Sequence, residues 1–143
     1  MKKFILLMTT VLFLGSVFAD ARVDGPKLTG EQIKTLINHK MVSFTHNKDR
    51  LFSASVYHAS YNAFVTFFPD GTTAGMITVP LAGIPNKDTG HWWIKGDQQC
   101  AQWAHWFDNK PFCTSWYEMK TNYIVFFDNS DSLSAIVPKN QII

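Results

Sequence analysis

The sequence predicts a mainly β protein, a small antiparallel β-barrel of about eight strands with one short N-terminal helix. Short apolar and aromatic runs recur at roughly 8–12 residue spacing, the pattern of antiparallel barrels and sandwiches. Tight-turn chemistry separates them, as in Pro69-Asp70-Gly71 and Gly96-Asp97. Helical spacing occurs in one segment near the start of the chain.

Residues 1–19 read as an export signal. Lys2 and Lys3 precede an apolar run over 4–18, and Val17 and Ala19 put small residues at −3 and −1 of a cut before Asp20. A cut after Ala21 is the alternative. The run is too short and wrongly flanked for a membrane span, and no cysteine follows the cut. An exported protein, periplasmic or secreted, is therefore expected, without stable membrane insertion or a lipid anchor. Residues 20–143 form the single barrel domain, long enough for one core. Cleavage removes two of the 13 basic residues, leaving 11 against 11 acidic ones. A neutral chain with no basic cluster has no electrostatic footprint for nucleic acid.

Residues 20–27 are polar, with Gly25 and Pro26, and read as a loose leader. Over 28–38, Thr29 and Gln32 fit a capping box. Ile33, Leu36 and Ile37 share one helical face, and Asn38 can end the helix. So short a helix is not stable alone and must dock. Strands follow over 41–45, 51–57, 62–68, 73–79, 90–95, 99–106, 112–119, 122–127 and 132–137, nine candidates of which about eight are expected to be real. Residues 80–89, with two prolines and a glycine, form the longest irregular connection. The run 123–127 is apolar on both faces, so one face can line the barrel and the other needs a cover. The Ile33, Leu36 and Ile37 stripe is the expected cover.

All five tryptophans, Trp92, Trp93, Trp103, Trp106 and Trp116, and both cysteines, Cys100 and Cys113, fall within 25 residues. Two cysteines in an exported chain point to one disulfide. There is no C-x-x-C and no second pair to complete a zinc site. If the cysteines faced each other in a hairpin, its turn would centre between Trp106 and Phe107, yet the turn residues Asp108, Asn109 and Lys110 come later. Either the hairpin is bulged, or 101–112 is a disulfide-tied excursion that pushes some of Trp103, His105, Trp106 and Phe107 out of the barrel wall.

From Phe67 onward the chain resembles a group of small exported bacterial proteins of unknown function with lipocalin-like (calycin-type) barrels. The resemblance rests on the hairpin Phe68-Pro69-Asp70-Gly71-Thr72, the Gly90-His91-Trp92 strand with its Gly96-Asp97 turn, and Cys100-Ala101-Gln102-Trp103 with the later Cys113. It covers about half of the exported chain and implies the barrel; it brings no catalytic residue with it.

The histidines, His39, His46, His58, His91 and His105, show no i, i+2 or i, i+4 spacing, so no metal site and no cofactor are expected. Asp70, Asp97, Asp108, Asp128 and Asp131 sit at turns, where Asp bonds its local backbone. Glu118 is the acid placed well inside a predicted strand. No G-x-S-x-G, H-E-x-x-H or phosphate-cradling glycine loop occurs, and no catalytic residue is assigned. The expected role is non-enzymatic: a small apolar or aromatic ligand held in or at the barrel mouth, with Trp92, Trp103, Trp106 and Trp116 as contacts. One rival is an interaction module, an inhibitor or partner of cell-envelope enzymes, using 103–112 as its surface. The other is an enzyme on the same scaffold. An apolar cavity of roughly 300 Å³ or more would favour a ligand; a filled barrel with Trp106 and Phe107 in water would favour a partner.

Overall fold

Eight strands among the described residues pair each with its neighbour in sequence, and the last returns to the first to close the barrel. They are β1 (Lys40–His46), β2 (Tyr61–Phe67), β3 (Thr72–Ile77), β4 (Lys87–Lys95), β5 (Gln98–Trp103), β6 (Phe112–Glu118), β7 (Asn122–Phe127) and β8 (Ser134–Pro138). The computed structural model describes residues 23–46, 61–78, 83–128 and 134–143. The expected export signal and the candidate strand 51–57 lie outside them.

Every pair is antiparallel, with closure through Thr45↔Ile136 and His46↔Ala135. Closure joins the first and last strands of the sheet to each other. Burial alternates as the pleat requires: Ala63, Val65 and Phe67 on β2, Phe112, Thr114 and Trp116 on β6, and Tyr123, Val125 and Phe127 on β7 are all buried. The turn at Pro69-Asp70-Gly71 forms as its residues demand. Gly71 takes φ +85°, and Asp70 Oδ1 accepts from the Thr72 N–H (2.9 Å) and hydroxyl (2.7 Å). Those bonds hold the exposed Asp70 carboxyl below its ordinary range.

The helix α1 (Gly30–Ile37) begins with the expected box: the Gln32 N–H donates to Thr29 Oγ1 and the Thr29 N–H to Gln32 Oε1. Its location differs from expectation. It packs on β1, β4 and β5, at the end where β4 turns into β5, and not over β7. Asp97 of that turn accepts from the Gly30 N–H at 3.1 Å, pinning the helix start there. The outward side of β7 is instead relieved sideways: Phe126 meets Tyr117 edge-on at 5.6 Å, and Ile124 and Phe126 are half-buried.

The end of the leader is also more ordered than its composition predicts. β5 pairs with β6 only through Gln99↔Thr114, Cys100↔Cys113 and Ala101↔Phe112, so the far half of β6 has unmatched backbone groups. The leader takes them: Leu28 N–H donates to the Trp116 carbonyl (2.8 Å) and Glu118 N–H to the Pro26 carbonyl (2.9 Å). The C-terminus does the same beside β1, where Met41 and Ile143 exchange backbone bonds. Glu118 forms an ion pair with Lys139 at 2.7 Å at this end of the barrel.

Gly30 tests the helix seat. A Cβ there would lie 2.1 Å from the Gly96 carbonyl oxygen, and neither backbone can yield. Gly30→Ala is expected to lower unfolding free energy by about 1–3 kcal/mol in urea titration; a change within about 0.5 kcal/mol would contradict this seat.

Candidate functional site

The connections at the two ends of the barrel differ. At the α1 end they are short, over 68–71, 96–97 and 119–121; at the other, the connection that lies wholly within the described residues, 104–111, is longer. Long connections on a rigid scaffold are where binding residues concentrate.

The longer one is the β5–β6 connection. Cys100 and Cys113 are paired in register and disulfide-bonded. One ladder pair beyond, Ala101↔Phe112, the two strands part. β5 continues along β4, through Gly90↔Trp103, while 104–111 leaves the ladder. The segment is thus the disulfide-tied excursion, not a bulged hairpin. Its turn is made by Phe107, Asp108 and Asn109, all left-handed, with φ of 54°, 56° and 54°. Asp and Asn tolerate that region, but Phe is a true outlier there. Such strain persists only where the surroundings over-determine it.

Asp88 supplies much of that constraint. Its Oδ2 accepts from the backbone N–H of His105 (2.8 Å) and Trp106 (2.7 Å). Its Oδ1 accepts from the Thr89 N–H (2.9 Å) and lies 3.1 Å from His105 Nδ1. Burial alone would raise the carboxyl, but the N–H groups of Trp106 and His105, the imidazole and Thr89 hold it below the ordinary carboxylate range. At the far side of the turn, Gln102 Nε2 donates to the Asn109 carbonyl at 3.0 Å.

So held, the excursion folds inward. Trp106 is buried, its Nε1–H donating to the Pro85 carbonyl at 2.7 Å. It lies against Trp103 with ring centroids 4.6 Å apart. The Trp pair needs the bare backbone of Gly75, where a Cβ would sit 2.5 Å from the Trp106 ring. Phe107 is half-buried, 4.4 Å from Phe112 and stacked with Phe127 at 6.0 Å.

These rings surround a cavity of about 200 Å³, continued by Phe44, Val65, Phe67 and Ile77. The volume is below the 300 Å³ expected for a ligand pocket, because the excursion occupies part of the mouth. Its polar lining includes His46, Gln99 and Thr114, with Asp108 and His105 at the outer end. The Thr114 hydroxyl faces the Gln99 carbonyl (3.1 Å) and Oε1 (3.0 Å), and accepts from Trp116 Nε1–H (3.1 Å). Gln99 Nε2 donates to the Cys100 carbonyl. His46 is buried beside the Phe127 ring, and desolvation lowers its pKa to about 4, leaving it uncharged at neutral pH.

Of the expected contacts, Trp103 and Trp106 line the cavity and Trp92 and Trp116 do not. Trp92 packs edge-on against Phe67 at 5.4 Å and donates from Nε1 to the Phe68 carbonyl. Trp116 is fully buried, edge-on to Phe44. Trp93 faces outward, 38% exposed. Asp88 was not anticipated, because it falls in what reads as irregular chain. Its parity with Trp92, four residues on, was the available signal. Among the described residues, no group of three or more His, Cys, Asp or Glu could hold a metal, and no helix is long and apolar enough to cross a membrane. Comparison with protein-family models, with curated proteins and with solved structures finds no match.

Two outcomes follow from this geometry. Asp88→Ala leaves three backbone amides, those of Thr89, His105 and Trp106, without their acceptor and is expected to cost about 2–4 kcal/mol, with tryptophan emission shifting to the red. Unchanged emission and unfolding would mean that Asp88 does not hold the excursion. For His46, the folded pKa of about 4 lies below the ordinary 6.5, so the unfolded chain takes up the proton first. Stability should fall as pH drops from 6.5 to 4, by roughly 3 kcal/mol in all. His46→Leu should flatten that slope in urea unfolding between pH 7 and 4; an unaltered slope would assign it elsewhere.

Proposed function

We propose that this is an exported, non-enzymatic binding protein that holds a small apolar or aromatic ligand in the mouth of its barrel. The observation that carries the reading is the aromatic-walled cavity of about 200 Å³ around Trp103, Trp106 and Phe107. Protein interiors are close-packed, with few voids larger than a water molecule. An apolar cavity of about 150 Å³ is already enough to take up benzene. A strained turn held by a buried carboxylate and a disulfide is an expensive way to shape such a space, and binding gives it a use.

The polar groups of the wall fit binding better than catalysis. Thr114 is bonded to Gln99, and burial leaves the His46 imidazole a weak base; Asp88, outside the lining, is occupied by backbone donors. The disulfide fits an oxidising compartment, in keeping with the apolar N-terminal run and with the resemblance to exported barrels. Trp106 turns inward and Phe107 is half-buried, so the large aromatic side chains of 103–112 face the cavity and not a partner, while Ala104, His105 and 108–111 stay exposed.

Titration of tryptophan fluorescence with small aromatics, lipids, haem and glycans tests the reading. Trp103 and Trp106 should report binding of the first class as quenching or a shift. Ala101, whose methyl lines the cavity, gives the control: Ala101→Leu fills space and should weaken binding at least tenfold while far-UV circular dichroism stays unchanged. No response to any class, or an identical response in the variant, would overturn the proposal.

A further inference from the structure

Resting on that reading, the wall chemistry narrows the ligand further. We infer that the cavity takes a flat, uncharged molecule of one or two fused aromatic rings, and rejects carboxylates and long acyl chains. Size is the first argument. At about 200 Å³ the space exceeds what benzene requires by one small ring. It cannot lengthen toward α1, because Phe44, Phe67 and Trp116 pack edge-on below it. A long acyl chain therefore cannot be enclosed and would have to leave most of its length in water.

Shape is the second. One part of the wall is the Trp103–Trp106 pair, fixed on Gly75 and by the Trp106 bond to Pro85. Another is the set Phe107, Phe112 and Phe127, with Phe127 within 26° of parallel to both other rings. Aromatic rings meet others favourably in offset or edge-to-face contact, so a planar ring gains contacts here that a flexible chain does not.

Charge is the third. Among the described residues no Lys or Arg lines the cavity, and the acid on its rim is Asp108. A ligand carboxylate would leave water without a cationic partner and approach a like charge. Gln99 and Thr114 are bonded to each other, and the second lone pair of Gln99 Oε1 offers polarity without charge, suited to a ring N–H or a phenolic hydroxyl.

Isothermal titration calorimetry with three probes tests this: indole, indole-3-carboxylate and palmitate, against the purified protein and Ala101→Leu. Indole should bind, its carboxylate at least tenfold more weakly, palmitate not measurably, and Ala101→Leu should lose indole by tenfold or more. Carboxylate binding as tight as indole, or palmitate binding that Ala101→Leu abolishes, would overturn this ligand class and leave the binding function standing. Indole binding unaffected by Ala101→Leu would place the ring elsewhere and overturn the inference. Silence from all three probes and from the wider fluorescence panel would overturn both.

Discussion

The mouth of this barrel hangs on the Asp88 carboxylate. An ionised side chain on an inward position of a strand is costly unless its lone pairs are filled, and here backbone N–H groups and an imidazole fill them. The exchange works in both directions. The carboxylate is kept charged despite burial, and the amides of His105 and Trp106, which leave the ladder, are given an acceptor. With that backbone fixed, the Trp106 indole can reach Pro85 and rest on Gly75. The chain then reverses through three left-handed residues. Each later feature of the cavity depends on that first anchor.

The two ends of the barrel solve opposite problems. At the α1 end the chain satisfies its backbone with its own termini. Pro26 and Leu28 cover the free half of β6, Ile143 covers the start of β1, and Asp97 caps the helix. Ile33 and Ile37 add fully buried apolar surface there, with each large aliphatic side chain contributing roughly 1.5–3 kcal/mol. That concentration of stability leaves the opposite end free to carry strain, a space between rings and a buried histidine. Binding regions are commonly drawn from the less stable parts of a fold for this reason.

How much of this was legible depended on range. The capping box of Thr29 and Gln32, the Pro69-Asp70-Gly71 turn and the parity of Phe112 with Trp116 are local patterns, and each forms as its residues require. The Cys100–Cys113 bond was legible from the count of two cysteines and the expectation of export. The seat of α1 was not: apolar supply and demand pointed to β7, but Asp97 and the bare backbone of Gly30 decide the docking. Nor was the site legible as a whole. A stretch of five tryptophans says nothing of which reach the cavity, and strand parity placed Trp92 and Trp116 as plausibly as Trp103. The phenylalanines and His46 that complete the wall come from strands distant in sequence, and only closure brings them together.

The disulfide and the strained turn make sense as one device. A left-handed residue costs roughly 1–2 kcal/mol for most side chains and less for Asp and Asn, so Phe107, Asp108 and Asn109 together cost a few kcal/mol. Closing a loop between residues 13 apart in sequence restricts the unfolded chain by about 3 kcal/mol in the entropic model. The two are comparable, and they act on opposite sides of the folding equilibrium. The bond need not touch the turn to sustain it: by disfavouring the open chain, it lets the folded state tolerate a conformation that an unlinked loop would relax. Its position follows from the same logic. One pair nearer the mouth, Ala101 would be cross-linked and its small side chain lost from the cavity wall; Cys100 and Cys113 instead alternate with the inward residues, so the clasp sits outside and the space inside stays open.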